Sequence, residues 1–157
     1  MCKKNNEAHK YLSQVEMIDT KVQNKLVEQR MWKDVAMGIT ANMGGERVKS
    51  SGSKSRMADA LDKCADVEAE IDALIDELID TKKDVIQTIE KLDNPTFYNI
   101  LHLRYIQYKP LWKIAEDYDK DYGWIKTNHG RAISEVQKIL ERKKFVTFCA
   151  QNGLNVT

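Results

Sequence analysis

The residues able to do chemistry are scattered along this 157-residue chain, and their spacing decides what each could do. "SGSK" at residues 51–54 has the Ser-x-x-Lys order of a serine acyl-enzyme. The companion motifs of that chemistry are absent, and the chain is too short for its fold. Gly44, Gly45 and Gly52 are followed by no Gly-Lys-Ser/Thr at the spacing that cradles a phosphate. His9, His102 and His129 have no cysteine or histidine at metal-ligand spacing. Carboxylates crowd residues 66–80, but they lie between the apolar positions of a helical pattern, so a solvated helix face accounts for them. Cys2, Cys64 and Cys149 are isolated, form no redox or metal pair, and suit a reducing cytoplasm. Nothing assembles a nucleophile, a base and an orienting group. The expectation is a protein that is not an enzyme and holds no cofactor or metal.

One stretch remains, "YDKDYGWIKTNHGRA" at residues 118–132: an acidic turn, an aromatic pair, then basic and amide residues. If it forms a helix with Ile125 turned inward, Tyr122, Lys126, Thr127 and, about one turn on, Gly130 and Arg131 share the outer side. Hydrogen-bonding, cationic and backbone-close residues on one exposed stripe suit a DNA major groove with phosphates at its rim. Lys113 and Lys120 are then candidate phosphate contacts. A helical hairpin with a mixed surface is the alternative from spacing alone. Charge leans the same way: from Pro95 onward ten Lys/Arg face six Asp/Glu, giving +4, whereas the first 94 residues hold fifteen against eighteen, giving −3.

Few breakers interrupt the chain, only two prolines and seven glycines, so the fold class expected is all-α. A stripe of Tyr11, Val15, Ile18, Val22 and Leu26, continued by Trp32, Val35 and Ile39, predicts a first helix over 7–39. "MGGERVKSSGSKSR" at 43–56 reads as a loop. A second helix, with a serine available as its cap, should run over 55–92. Its positions 57, 64, 71, 78, 85 and 92 are all apolar, with Leu61, Ile75 and Ile89 as companion row and Glu68 and Lys82 interrupting it. A sustained seven-residue repeat argues for coiled-coil packing. Such a helix is roughly 50 Å long, and the first helix folded back on it is the expected partner, with an intermolecular partner as the rival.

Asn94 and Pro95 should cap and open a third helix to about residue 108, which Pro110 stops. Short helices near 111–118 and 121–144 follow, with Asp121 capping the second. Ile114, Ala115, Ile125 and Trp112 are expected to hold these two together. The domains expected are therefore a hairpin over 5–92, a helix-turn-helix over 93–144 and a tail over 145–157. No apolar run reaches membrane-spanning length and the start has no signal-peptide core, so no membrane association is expected.

The segment "LHLRYIQYKPLWKIAEDYDKDYGWIKTNHGRAISEVQKIL" at 101–140 resembles the fourth conserved region of bacterial sigma factors, the helix-turn-helix that reads the promoter −35 element. The matching pieces are "LRY", "IAEDY", "IK", and "RA" followed by spaced aliphatics. Two positions depart from that pattern. Asp119 stands where the turn usually has glycine, and Gly130 stands where sigma factors often carry histidine. Together with "YLSQVEMID" and "GGERVKSSGSKSRMADA", the chain is similar over most of residues 10–142 to small phage and prophage sigma-like proteins. The resemblance implies a sequence-specific regulator that binds double-stranded promoter DNA, with host RNA polymerase as a further partner. It also implies a loop at 43–56 that touches a partner, the alternative being a flexible linker.

The expected protein is then a cytoplasmic monomer or homodimer, with Tyr122, Lys126, Thr127 and Arg131 on DNA. Two rivals stand beside it. A small terminase subunit for DNA packaging also joins a helix-turn-helix to coiled-coil segments. A structural or polymerase-binding coiled-coil protein would not touch DNA at all.

Overall fold

The computed structural model describes residues 6–38 and 52–151. Every element among them is helical: α1 (Asn6–Ala36), α2 (Gly52–Ile89), α3 (Pro95–Leu101), a π-helical turn (His102–Ile106), α4 (Leu111–Asp117) and α5 (Tyr122–Gln151). The fold is all-α, as composition predicts. Cys2, Ile39, residues 43–51 of the expected loop and the tail beyond Gln151 lie outside the described residues. Residues 52–56, expected to close that loop, instead open α2. The first seven residues of the expected tail continue α5 to Gln151.

The chain divides into two compact units, Met1–Glu16 with Asp80–Thr157, and Met17–Ile79. The boundary cuts through both long helices rather than following residue 92.

In the unit Met17–Ile79, parts of α1 and α2 run antiparallel. Lys25 Nζ lies 2.6 Å from Glu70 Oε2, the Cys64 thiol donates to the Gln29 carbonyl at 3.6 Å, and the Lys63 ammonium sits 5.2 Å from the Trp32 ring centroid. Residue numbers rise along α1 as they fall along α2, which only an antiparallel pair allows. The buried row on α2 is Ala60, Cys64, Val67 and Ile71, spaced four, three and four. The seven-residue repeat therefore holds at 64 and 71, but its companions lie three residues on from 57 and 64. Leu61 and Ile75, expected in that companion row, are 52% and 38% exposed.

The other unit is built around α5. Ala8, Leu12 and Val15 of α1, Val85, Thr88 and Ile89 of α2, and Ala132, Val136 and Leu140 of α5 are all buried. The first turn of a helix leaves backbone N–H groups without intrahelical acceptors. Here the Ala8 N–H donates to Gln137 Oε1 at 3.0 Å, so a side chain of α5 caps α1. The Tyr11 hydroxyl meets Thr88 Oγ1 at 2.8 Å and Asp84, and Lys143 Nζ donates to Thr88 Oγ1 at 2.8 Å. Burial first, and the Asp84 bond second, push the Tyr11 hydroxyl pKa up.

The predicted start of α3 holds in this unit. Asn94 Oδ1 accepts from the Thr96 N–H at 2.9 Å with Pro95 at the first helical position. The helix this starts is shorter than expected. After Leu101 it widens into the π-helical turn, closed by the Gln107 N–H donating to the His102 carbonyl at 3.2 Å. Tyr108 then takes a left-handed φ of 57°, unusual for a bulky residue, beneath the Lys82 ammonium at 5.6 Å from its ring centroid. Pro110 precedes α4.

Candidate nucleic-acid interface

The site begins with how α4 meets α5. Ile114 and Ala115 of α4 and Ile125 of α5 share one buried cluster with Ile100, flanked by Leu103 and Leu111. Ala115 keeps the crossing close and Ile125 fills it, as the spacing predicts. Trp112, expected to help hold the pair, does not: it is 61% exposed. On a seven-residue helix the inward side is taken by Leu111, Ile114 and Ala115, and position 112 points away from it.

The turn between the helices has a definite backbone chemistry. Tyr118 ends α4, and Asp119 adopts a left-handed φ of 50°. The Asp119 N–H donates to the Glu116 carbonyl at 3.1 Å and the Lys120 N–H to the Ala115 carbonyl at 3.0 Å. This is the Schellman pattern, with aspartate in the position where glycine is commonest. Asp121 then caps α5, its Oδ2 accepting from the Trp124 N–H at 3.2 Å. Gly123 fits that cap, because a Cβ there would stand 2.7 Å from Asp121 Oδ2.

With Ile125 buried, the opposite side of α5 is set by helical geometry. Thr127 and Arg131 are exposed at its centre, with the glycines 123 and 130 beside them. A Cβ at Gly130 would meet nothing within 4 Å. Lys126 and Tyr122 are exposed nearer the edge on one side of that face, and Trp124, 41% exposed, flanks the other. Lys120 is exposed in the turn. Lys113 is differently placed. It is half-buried and bridges Glu116 at 2.7 Å and Asp117 at 3.8 Å, and Glu116 above all holds its ammonium pKa above the usual lysine value. Asp117 is also bonded by Lys109 at 2.8 Å. The structure thus brings Tyr122, Lys126, Thr127 and Arg131 onto one helix, with Lys120 in the turn before it. Lys113 faces carboxylates of its own helix.

Beneath the exposed face lies a histidine whose setting sequence spacing did not reveal. His129 Nε2 is 3.1 Å from the Tyr105 hydroxyl, and the two rings stack at 5.8 Å between centroids. His9 meets Tyr105 edge-on at 6.1 Å, and the Arg104 guanidinium lies 5.5 Å from the Tyr105 centroid and 3.4 Å from Glu16. Burial, then the nearby His9 and Arg104 charges, push the His129 pKa down to about 4, so the ring is neutral at pH 7. Burial raises that of Tyr105 to about 12. Among the described residues no group of three or more His, Cys, Asp or Glu is placed to hold a metal ion, and no helix is long and apolar enough to cross a membrane.

Comparison of the chain with protein-family models, curated proteins and solved structures finds no match. Trp124 beside this face and Trp112 on α4 are exposed indoles that spacing missed. Their exposure follows from which helix positions Ile114 and Ile125 occupy, and an exposed indole could have been flagged on that ground.

Proposed function

We propose that the chain is a non-catalytic, sequence-specific regulator of phage or prophage transcription. In this reading α4 and α5 form a helix-turn-helix, α5 enters the major groove of promoter DNA, and the protein works with host RNA polymerase. The observation that carries the reading is the exposed face of α5: Thr127 and Arg131 flanked by two glycines and, toward one edge, Lys126, on the side of the helix away from the buried Ile125. Small residues let the helix backbone approach a groove, Arg131 supplies a planar fork for guanine or phosphate, and Lys126 and Lys120 supply point charges. Lys113 contributes only by exchanging its two carboxylate partners for a phosphate, so it ranks below Lys120.

Lys126→Ala and Arg131→Ala test the reading on a fragment selected from host or phage genomic DNA at fixed salt. Each should weaken binding without altering the melting temperature. A lost phosphate contact lowers the salt slope by about one, and a lost base contact costs roughly 1–3 kcal/mol at one position. Unchanged affinity and salt slope in both variants would sink it.

A second reading, the small DNA-packaging terminase subunit, draws on the apolar side chains exposed in Met17–Ile79, among them Val27 and Ile79 at 64% and 58%. It requires a large ring, whereas the regulator is a monomer or dimer. Light scattering separates the two.

A further inference from the structure

A groove of about 490 Å³ in the unit built on α5 is lined by Lys91, Ile139, Arg142, Lys143, Val146 and Thr147. Its floor is aliphatic, from Ile139 and the 53% exposed Val146. Its rim holds three cations and no carboxylate. Lys143 is already engaged, 3.3 Å from Asp84 and bonded to Thr88, but Lys91 and Arg142 form no ion pair among the described residues. The α5 members sit at spacings of three and four over roughly two helical turns, the footprint of a helix lying alongside.

We infer that this groove docks an acidic amphipathic helix of a protein partner, its apolar side chains on Ile139 and Val146 and its carboxylates against Lys91 and Arg142. Two cations without ion pairs, beside half-buried Ile139 and exposed Val146, complement a segment carrying both acidic and apolar faces. Nucleic acid fits less well, since no aromatic or amide side chain lines the groove to meet a base. The α5 residues of the groove start at Ile139, eight residues and roughly 12 Å along the helix beyond Arg131, so the groove is displaced along α5 from the surface proposed to read DNA.

The test uses the full chain and a fluorescent peptide of about 15 residues, long enough to form a helix, with leucines at alternating three- and four-residue spacing and glutamates between. A second peptide carries lysine at every glutamate. The first should bind and the second should not. Arg142→Glu and Val146→Asp should each weaken binding by roughly tenfold or more, the expected loss for a charge reversal or a charge set into an apolar contact. Lys138→Glu, an equal charge change at a residue paired with Glu135, should leave it within about twofold. Arg142 is exposed, so its variant should keep the fold even if Val146→Asp melts early. No binding of the first peptide, or equal binding of both, overturns the inference. So does a self-association abolished by Val146→Asp, which would assign the groove to a second copy. Weakened binding of genomic DNA by Arg142→Glu would assign it to nucleic acid and overturn it too. The Lys126 and Arg131 variants report separately on the DNA reading.

Discussion

The two units spend the same helical material differently. Around α5, parts of α1, α2, α3 and α4 contribute to one unit, and its fully buried side chains include Tyr105, Leu12, Ile89, Ile100, Leu101, Ile114 and Ile125. In Met17–Ile79 two helices meet along a seam whose buried members are Ile18, Val22, Ala36, Ala60, Cys64, Val67 and Ile71. Two helices alone bury one stripe each, so Met31, Val27 and Leu61 stay at 50%, 64% and 52% exposure. The surfaces left over differ as well. Around Thr127 the exposed side chains of α5 are mostly small or polar, with Tyr122 and Trp124 at the edges, while on the seam several are large and apolar. A filled core supports a defined surface, and a bare seam either stays marginal or needs a cover.

The largest test of that contrast places the same charge on each side of it. Ile125→Asp sets an unpaired carboxylate at a fully buried position in the α4–α5 crossing, and several kcal/mol should be lost. Leu61→Asp adds the same group at a half-exposed position, and its melting temperature should move by only about 1–2 °C if the seam is bare. A Leu61→Asp chain destabilised as much as Ile125→Asp would mean that Leu61 is covered in solution, by a second copy or a partner. The contrast would then break.

Acid should separate the units next. His129 has a folded pKa of about 4 against an ordinary 6.5, so the fold favours its neutral form. That contribution is fully present above about pH 6.5 and is lost as pH falls toward 4. Between pH 6.5 and 5 the unit around α5 should lose about 2 kcal/mol, with Met17–Ile79 little affected because it contains no histidine. Amide hydrogen exchange followed on peptides from each unit measures this. Protection in α5 should fall first, and His129→Gln should flatten the dependence. Equal loss in both units would place the acid sensitivity elsewhere.

What could be read beforehand follows the same division. Caps within a few residues of each other were legible: Asn94 with Pro95 and Asp121 on Trp124 both follow from local backbone chemistry. The crossing of Ile114 and Ala115 with Ile125 was legible because its spacing is short. Long-range choices were not. Positions 60 and 61, or 74 and 75, both complete a heptad row, and only the facing helix decides which one turns inward. The Gln137 cap on Ala8 joins residues 129 positions apart, so no local pattern announces it. The end of α5 was obscured by "FVTF", whose aromatic and β-branched residues are weak helix formers. There Thr147 Oγ1 donates to the Lys143 carbonyl at 3.0 Å and Cys149 is buried, so contacts carry the helix past its propensity.

The smallest effect expected is at Gly130, where structure and function pull in opposite directions. An exposed glycine inside a helix costs about 1 kcal/mol relative to alanine. Gly130 lies in α5 with nothing within 4 Å of an added Cβ. Gly130→Ala should therefore raise stability by about 0.5–1 kcal/mol in a thermal melt. Gly123→Ala serves as the contrast, because its Cβ would press on Asp121 Oδ2 and cost α5 its cap, roughly 1 kcal/mol in the other direction. If the face around Thr127 approaches DNA closely, the stabilised Gly130→Ala chain should bind the genomic fragment more weakly than the parent. Stability gained with affinity unchanged would show that the helix backbone never comes close to the duplex there, leaving Lys126 and Arg131 to reach DNA by side-chain length alone.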